Sequence, residues 1–234
     1  IGGKSGINVS TYKNQVGAFH PPKEILIWTP FLNTLPPHET VNGIGEIIKH
    51  ALIKGGSEYQ WICQNLRYIP SNRRLTEELI RRSLHIKKEI IEQDELDTGI
   101  RKLLNYGHTF GHALEGYTNN AIPHGVGVLI GMDMANFLSV QRGMLSEVEF
   151  RSVSDILWSY IPRNASRVTD IDKYLTFLGR DKKSERNAIH ALLCSGIGRV
   201  EIVTVSIDDR LCKELVSYWK DYFSKRQNHT INFF

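Results

Sequence analysis

Residues 105–115 read NYGHTFGHALE. Two histidines, His108 and His112, stand four apart, each directly after a glycine, Gly107 or Gly111. Side chains four apart lie on one face of a helix, one turn above each other. The spacing therefore points both imidazoles into the same space. Glycine inside a helix costs about 1 kcal/mol against alanine, so two of them imply a packing or functional reason. The pair alone admits two readings: a metal or catalytic pair, or a polar stripe on a surface helix. The glutamate of an HExxH zinc-protease motif is absent.

Outward from this stretch, the pattern is mainly helical. ETVNGIGEIIKHALI carries apolar residues at helical spacing, predicting a helix from His38 to about residue 54. A second helix is predicted from about Thr76 to Gln93, its apolar positions being Leu79, Ile80, Leu84, Ile86, Ile90 and Ile91. The GHTFGH helix is expected over 103–117 and another over 125–142, containing VGVLIGMDMANFLSV. Further helices are expected near 146–160, 170–179 and 208–224. IHALLC (189–194) and RVEIVTV (199–205) flank SGIG and read as a β-hairpin. Ahead of Pro36 and Pro37, residues 1–35 are rich in glycine and β-branched residues, and EILIWT (24–29) reads as a buried strand. The tail RQNHTINFF (226–234) reads as loosely held. The chain is thus mostly α, with strand-like material at both ends.

At 234 residues and 41% hydrophobic, the chain is long and apolar enough for one large domain or two small ones. The net charge of +4 is spread along the chain, and no lysine/arginine block resembles a nucleic-acid arm. Its densest basic stretch, RRSLHIKK (81–88), reads as a solvated helix face, although anionic small molecules also need such residues. Cys63, Cys194 and Cys212 show no CxxC spacing, which fits a reducing cytoplasm and argues against a disulfide framework or a cysteine zinc site. No apolar run reaches the length of a membrane span, and no signal peptide is recognisable. The chain opens on Ile1 within a motif, so a preceding segment is expected.

A metal site needs three or four ligands, usually from several elements. Glu46 and Lys49 share one helix face. His108 follows from the quoted stretch, and AIPHGVG sets His124 at the start of another helix. Glu46, His108 and His124 together form a carboxylate and two imidazoles, a catalytic zinc pattern with positions left for water or substrate. Individually, each also reads plainly, as a helix cap or a solvent-facing glutamate. Cations accompany them: Lys4 after two glycines, Lys13 beside Asn14, Lys87 and Arg101 flanking EQDELDTG, and Lys182 with Lys183 after Asp181. Their significance depends on whether they converge.

IGGKSGIN, KNQVGAFHPP, LPPHETVNGIGEIIKH, DTGIRKLLNYGHTFGHALE, IPHGVGVLIGM and RDKK occur in one order. Together they resemble the C-terminal two-thirds of the 3-dehydroquinate synthase and sugar phosphate cyclase family, over nearly the whole chain except the last ten or so residues. The resemblance implies a multihelical C-terminal domain of the dehydroquinate synthase-like fold over 38–234, with a small C-terminal β-hairpin. Residues 1–37 would be the remnant of an N-terminal Rossmann-like α/β NAD domain, whose glycine-rich loop lies upstream in the family. The implied activity is that of a carbon–oxygen lyase dependent on NAD and on Zn2+ or Co2+. It cyclises the sugar acid phosphate DAHP to 3-dehydroquinate with phosphate elimination, in the shikimate pathway of aromatic amino acid biosynthesis. A cytoplasmic homodimer with no nucleic-acid or membrane partner is expected.

By the same resemblance, Glu46, His108 and His124 are the metal ligands. Lys49, Lys87, Arg101, Asn105 and Lys182 would contact substrate. His112 would sit by the phosphate and proton-transfer positions. Lys4 and Asn14 would reach in from the NAD side, toward substrate and cofactor. Two departures stand out. Val126 follows His124-Gly125 where the family usually has glutamate, and Asp97 stands where glutamate is common, in a position expected to pair with substrate-site cations. Arg101 and Asn105, four apart, favour a carboxylate-bearing substrate over sedoheptulose 7-phosphate or glucose 6-phosphate. Other readings are a cyclase for a different sugar phosphate, or an inactive fragment lacking the NAD-binding segment. A zinc- or iron-dependent alcohol dehydrogenase is disfavoured, because a simple alcohol needs no such cationic set.

Overall fold

The computed structural model describes residues 2–9, 12–179 and 187–229. Three helices built around glycine contacts form its centre. Helix α1 (Pro37–Lys54) starts on a proline whose missing N–H costs nothing in a first turn. It has Glu39 in that turn and Lys54 in the last, each favourably placed in the helix dipole, and stops at Gly55. Next come α2 (Gly56–Asn65) and α3 (Arg73–Gln93), the latter capped by Asn72, whose side chain accepts from the Leu75 N–H at 3.1 Å. Helix α4 (His108–Tyr117) and helix α5 (His124–Gln141) follow. Every residue of α5 from Gly125 to Ser139 is buried, as befits a helix apolar on all sides.

Glycine is what lets α5 sit so deep. A Cβ on Gly125 would lie 2.3 Å from Asn42 Cα in α1, and one on Gly131 would lie 2.0 Å from the Gly107 carbonyl oxygen. On the facing helix, a Cβ on Gly111 would meet the Gly127 carbonyl oxygen at 2.7 Å. The backbones of α1, α4 and α5 therefore touch where side chains would hold them apart. Gly107 also has φ of 79°, a left-handed conformation that glycine adopts without strain.

Helices α6 (Glu147–Trp158) and α7 (Ile171–Leu178) complete the body. Strands β3 (Ala188–Gly196) and β4 (Arg199–Ser206) form an antiparallel hairpin. The hairpin is tied to α1 by the Gly198 N–H donating to the Leu52 carbonyl at 2.9 Å. It is tied to α5 by the Cys194 N–H donating to Ser139 Oγ at 3.0 Å. Helix α8 (Asp209–Val216), a π-helical stretch (Ser217–Phe223) and α9 (Ser224–His229) close the chain over α5. Asp133 is the polar point of this closure. Its carboxylate accepts from Ser154 Oγ (2.5 Å), Trp158 Nε1 (2.9 Å) and Tyr218 OH (2.9 Å). Complete burial still raises its pKa on balance.

Ahead of α1, β1 (Lys4–Val9) and β2 (Tyr12–Phe19) pair antiparallel, Lys4 opposite Phe19, with a register shift between Ile7 and Val9. The strand expected over 24–29 is not formed. Residues 24–28 have no regular structure, and a 3-10 helix runs over Thr29–Thr34. A strand needs a neighbouring backbone, and among the described residues none pairs with this segment.

Other boundaries also differ from expectation. The helix expected over 103–117 is a 3-10 turn (Ile100–Asn105) and then α4, split where Gly107 turns left-handed. Helix α2 had no clear periodic signal. The tail is better anchored than expected: Arg226 bonds Asp155 at 2.7 Å, and Gln227 Nε2 donates to the Ala165 carbonyl at 2.8 Å. Residues 230–234 lie outside the described residues. No described helix is long and apolar enough to cross a membrane.

Candidate metal and active site

Close backbone packing brings four chemistry-bearing side chains from three helices to one place. His108 and His112 come from the first two turns of α4, His124 from the first residue of α5, and Glu46 from the middle of α1. The ring centroids of His108 and His112 are 5.1 Å apart, those of His108 and His124 5.2 Å, and those of His112 and His124 5.7 Å. One nitrogen from each histidine lies within 4.8 Å of the other two. Glu46 Oε1 is 3.7 Å from His108 Nε2.

Hydrogen bonds determine which nitrogens are available. His108 Nδ1 is 3.2 Å from the Tyr106 carbonyl oxygen, which can only accept, so Nδ1 carries the proton. Burial, then the Lys49 charge and the two neighbouring histidines, push His108 well below its ordinary pKa. The ring is therefore neutral, with its lone pair on Nε2. His124 Nδ1 lies 2.8 Å from Glu115 Oε1. In the neutral ring, a carboxylate accepting there leaves the His124 lone pair on Nε2.

Glu46 is held in a charged setting. Its Oε2 accepts from Lys49 Nζ at 2.7 Å, and His50 Nε2 is 4.0 Å away. Burial raises the Glu46 pKa, but Lys49, His50 and Lys87 outweigh it and keep the carboxylate ionised. Lys49 is itself buried, and desolvation lowers its pKa despite Glu46. His50 contacts Ser83 Oγ at 2.8 Å through Nδ1, and burial with the Lys49 and Lys87 charges depresses it to about 3.

The second Glu46 oxygen has a different setting. Glu46 Oε1 is buried with no hydrogen-bond partner among the described residues, and faces a neutral histidine lone pair. Two acceptors turned toward each other without a proton between them are unfavourable. A cation shared between them removes the conflict. The donor set of one carboxylate and imidazoles suits Zn2+ or Co2+.

The other expected site residues are placed as follows. Lys87, on α3, is close enough to bias Glu46, Lys49 and His50 electrostatically. Asn105 is half-buried at the end of the 3-10 turn, just ahead of α4. Arg101 is buried, and its guanidinium donates to the carbonyls of Gly2 (2.5 Å) and Glu95. Lys4 pairs with Asp97. These last contacts join the N-terminal hairpin to the loop before α4. The Asn14 side chain and all of Lys182 lie outside the described residues.

Sequence reading missed Glu115, His50 and Ser83. Glu115 stands seven residues after His108 on the same helix face, and His50 four after Glu46. That spacing was the available signal.

A model of the 3-dehydroquinate synthase C-terminal region matches residues 43–184, which hold Glu46 and all three histidines. The chain belongs to the 3-dehydroquinate synthase family. The N-terminal model of the family matches residues 1–42. The 3-dehydroquinate synthase of Sulfurovum sp. (strain NBC37-1) is 38% identical over 225 residues, covering 94% of this chain and 62% of the relative. That of Bacillus cytotoxicus is 37% identical over 227 residues, covering 94% and 60%. The chain therefore spans about three-fifths of the length of these family members.

Among solved structures, 2-epi-5-epi-valiolone synthase (ValA) from Streptomyces hygroscopicus, with NAD+ and Zn2+ bound, is 26% identical with a TM-score of 0.76. The match covers 92% of this chain and 61% of that one. A 2-deoxy-scyllo-inosose synthase, complexed with carbaglucose-6-phosphate, NAD+ and Co2+, shares the fold with a TM-score of 0.75. It is 22% identical over 92% of this chain and 61% of that one.

Proposed function

We propose that this chain carries the metal- and substrate-binding part of a 3-dehydroquinate synthase, cyclising DAHP to 3-dehydroquinate with elimination of phosphate. The observation that carries the reading is Glu46 Oε1, without a hydrogen-bond partner among the described residues and facing His108 Nε2, with His124 alongside. Glu46, His108 and His124 would hold a divalent metal. When bound, Zn2+ or Co2+ supplies Lewis-acid stabilisation of alkoxide and enolate charge, and NAD+ supplies reversible hydride acceptance.

The chain's own groups do the rest. Lys49 and Lys87 set a positive face beside Glu46, suited to an anionic substrate. His112, one turn from His108, would exchange a proton near the departing phosphate. Asn105 and Arg101 are assigned to substrate hydroxyl and carboxylate groups. For Arg101 this requires exchanging its bonds to the Gly2 and Glu95 carbonyls. Lys4, Asn14 and Lys182 are assigned to phosphate and hydroxyl contacts, with Lys4 and Asn14 on the NAD side. Asp97 restrains Lys4 through their ion pair. Residues 1–37 are read as the end of the NAD domain and 38–234 as the helical domain.

Likeness to the valiolone synthase supports a second reading, a cyclase for another sugar phosphate. The test is an assay of the gene's product with DAHP, NAD+ and Zn2+, following phosphate and 3-dehydroquinate together. Both products appearing is the expected result. Bound metal and NAD+ without turnover of DAHP would transfer the assignment to a different sugar phosphate. In the same preparation, His108→Ala is expected to abolish stoichiometric zinc by elemental analysis. Retained zinc would remove His108 from the ligand set.

A further inference from the structure

We infer that Glu115 is a positioning residue that aims His124 at the metal, so that α4 supplies one ligand histidine and also orients the other. The inference rests on the metal reading above, and its grounds are geometric.

His124 is the first residue of α5, and 44% of its side chain is exposed. On one side its ring lies against those of His108 and His112, at centroid distances of 5.2 and 5.7 Å. His108, by comparison, has only 15% of its side chain exposed and is held by the Tyr106 carbonyl. A directional restraint on the ring comes across the α4–α5 interface. Glu115 Oε1 accepts from His124 Nδ1 at 2.8 Å.

Glu115 is only 2% exposed. Burying a carboxylate is costly unless it is hydrogen-bonded, so its position is not accidental surface geometry. Space for it is made by Gly127, where a Cβ would come within 3.3 Å of both Glu115 Cγ and Oε1. Val126, two residues beyond His124, is apolar and buried. Its side chain has no hydrogen-bonding group to offer His124.

A carboxylate on the outer nitrogen of a ligand histidine selects the tautomer and the ring orientation. Removing such a partner typically weakens metal binding about 10- to 100-fold. Because the partner acts through the histidine, its effect should vanish when that histidine is absent.

The experiment is a competition titration of the whole chain with Co2+ alone, read by the visible d–d spectrum, with thermal unfolding to confirm the fold. Glu115→Gln keeps an acceptor but loses the charge, and is expected to weaken Co2+ binding about 10-fold. Glu115→Met removes the acceptor as well and is expected to weaken it up to about 100-fold, with a changed spectrum. In a His124→Ala background, Glu115→Gln is expected to change Co2+ affinity no further. Glu115→Gln with wild-type affinity and spectrum would overturn the inference, as would an equal loss in the His124→Ala background. If the unmutated chain binds no Co2+, the metal reading itself fails.

Discussion

Leu26, ahead of α1, is 92% exposed, whereas Leu129, midway along α5, is fully buried at 0%. Both lie in apolar stretches, EILIWT and VGVLIGM. Their surroundings differ in backbone rather than in hydrophobicity. Around Leu129, glycines at 125, 127 and 131 let α1 and α4 close on α5 until their backbones touch. Around Leu26, no described strand pairs with the backbone, and Trp28 and Phe31 meet edge to face, their rings 4.7 Å apart. The N-terminal segment is held instead by polar contacts: Lys4 with Asp97, Arg101 with the Gly2 carbonyl, and Thr29 Oγ1 donating to Glu77 at 2.7 Å. An apolar stretch becomes core only where a partner surface can reach it.

The sharpest way to break the comparison is at Gly131. Gly131→Ala places a Cβ 2.0 Å from the Gly107 carbonyl oxygen, so α4 must move away from α5. We expect a loss of ~3 kcal/mol or more in urea denaturation, at or above the upper end for overpacking. Metal affinity should fall as well, since His108 and His124 ride on the two separated helices. Next, Leu129→Ala should cost roughly 2–5 kcal/mol by the same measurement.

A smaller effect is expected at the junction of the two regions. Asp94 accepts from the N–H groups of Thr98 (2.9 Å), Gly99 (2.7 Å) and Arg101 (3.0 Å). Partial desolvation raises its pKa, but these bonds outweigh that and hold the carboxyl at about 2, below its ordinary 3.8. Between those values the opened loop takes up a proton that the closed loop refuses. Loop stability is therefore complete above about pH 4 and is lost as pH falls toward 2. Protection factors at Thr98, Gly99 and Arg101, taken against the intrinsic exchange rate at each pH, should fall over that range while α5 stays protected, and Asp94→Asn should abolish the pH dependence. The smallest effect is expected for Leu26→Ala, within ~0.5 kcal/mol of the parent. A loss matching that of Leu129→Ala would mean that the segment is buried in solution.

Local pattern carried much of this protein. The periods of α1 and α3 were readable because one residue in three or four must face a core, and α5 was readable as one long apolar run. The helix signals agree with that period: Pro37 opens α1, and Asn72 and Ser146 cap α3 and α6. The candidate ligands Glu46, His108 and His124 could be named from residue type, spacing and order of motifs. Two structural errors share one cause. EILIWT was read as a strand, and 103–117 as one unbroken helix, because neither a missing neighbour nor the left-handed turn at Gly107 leaves a periodic mark.

What the sequence by itself determined was which residues share a helix face, since that follows from spacing along one backbone; the candidate metal ligands came from the order of motifs and the family resemblance they carry. Tertiary structure alone decided that Glu115 reaches His124, that Glu46 keeps one oxygen without a partner, and that Arg101 is engaged by the Gly2 and Glu95 carbonyls. These are contacts between elements, fixed by how closely the backbones approach. That approach depends on glycines acting in pairs across α1, α4 and α5, whose partners no single stretch of sequence specifies.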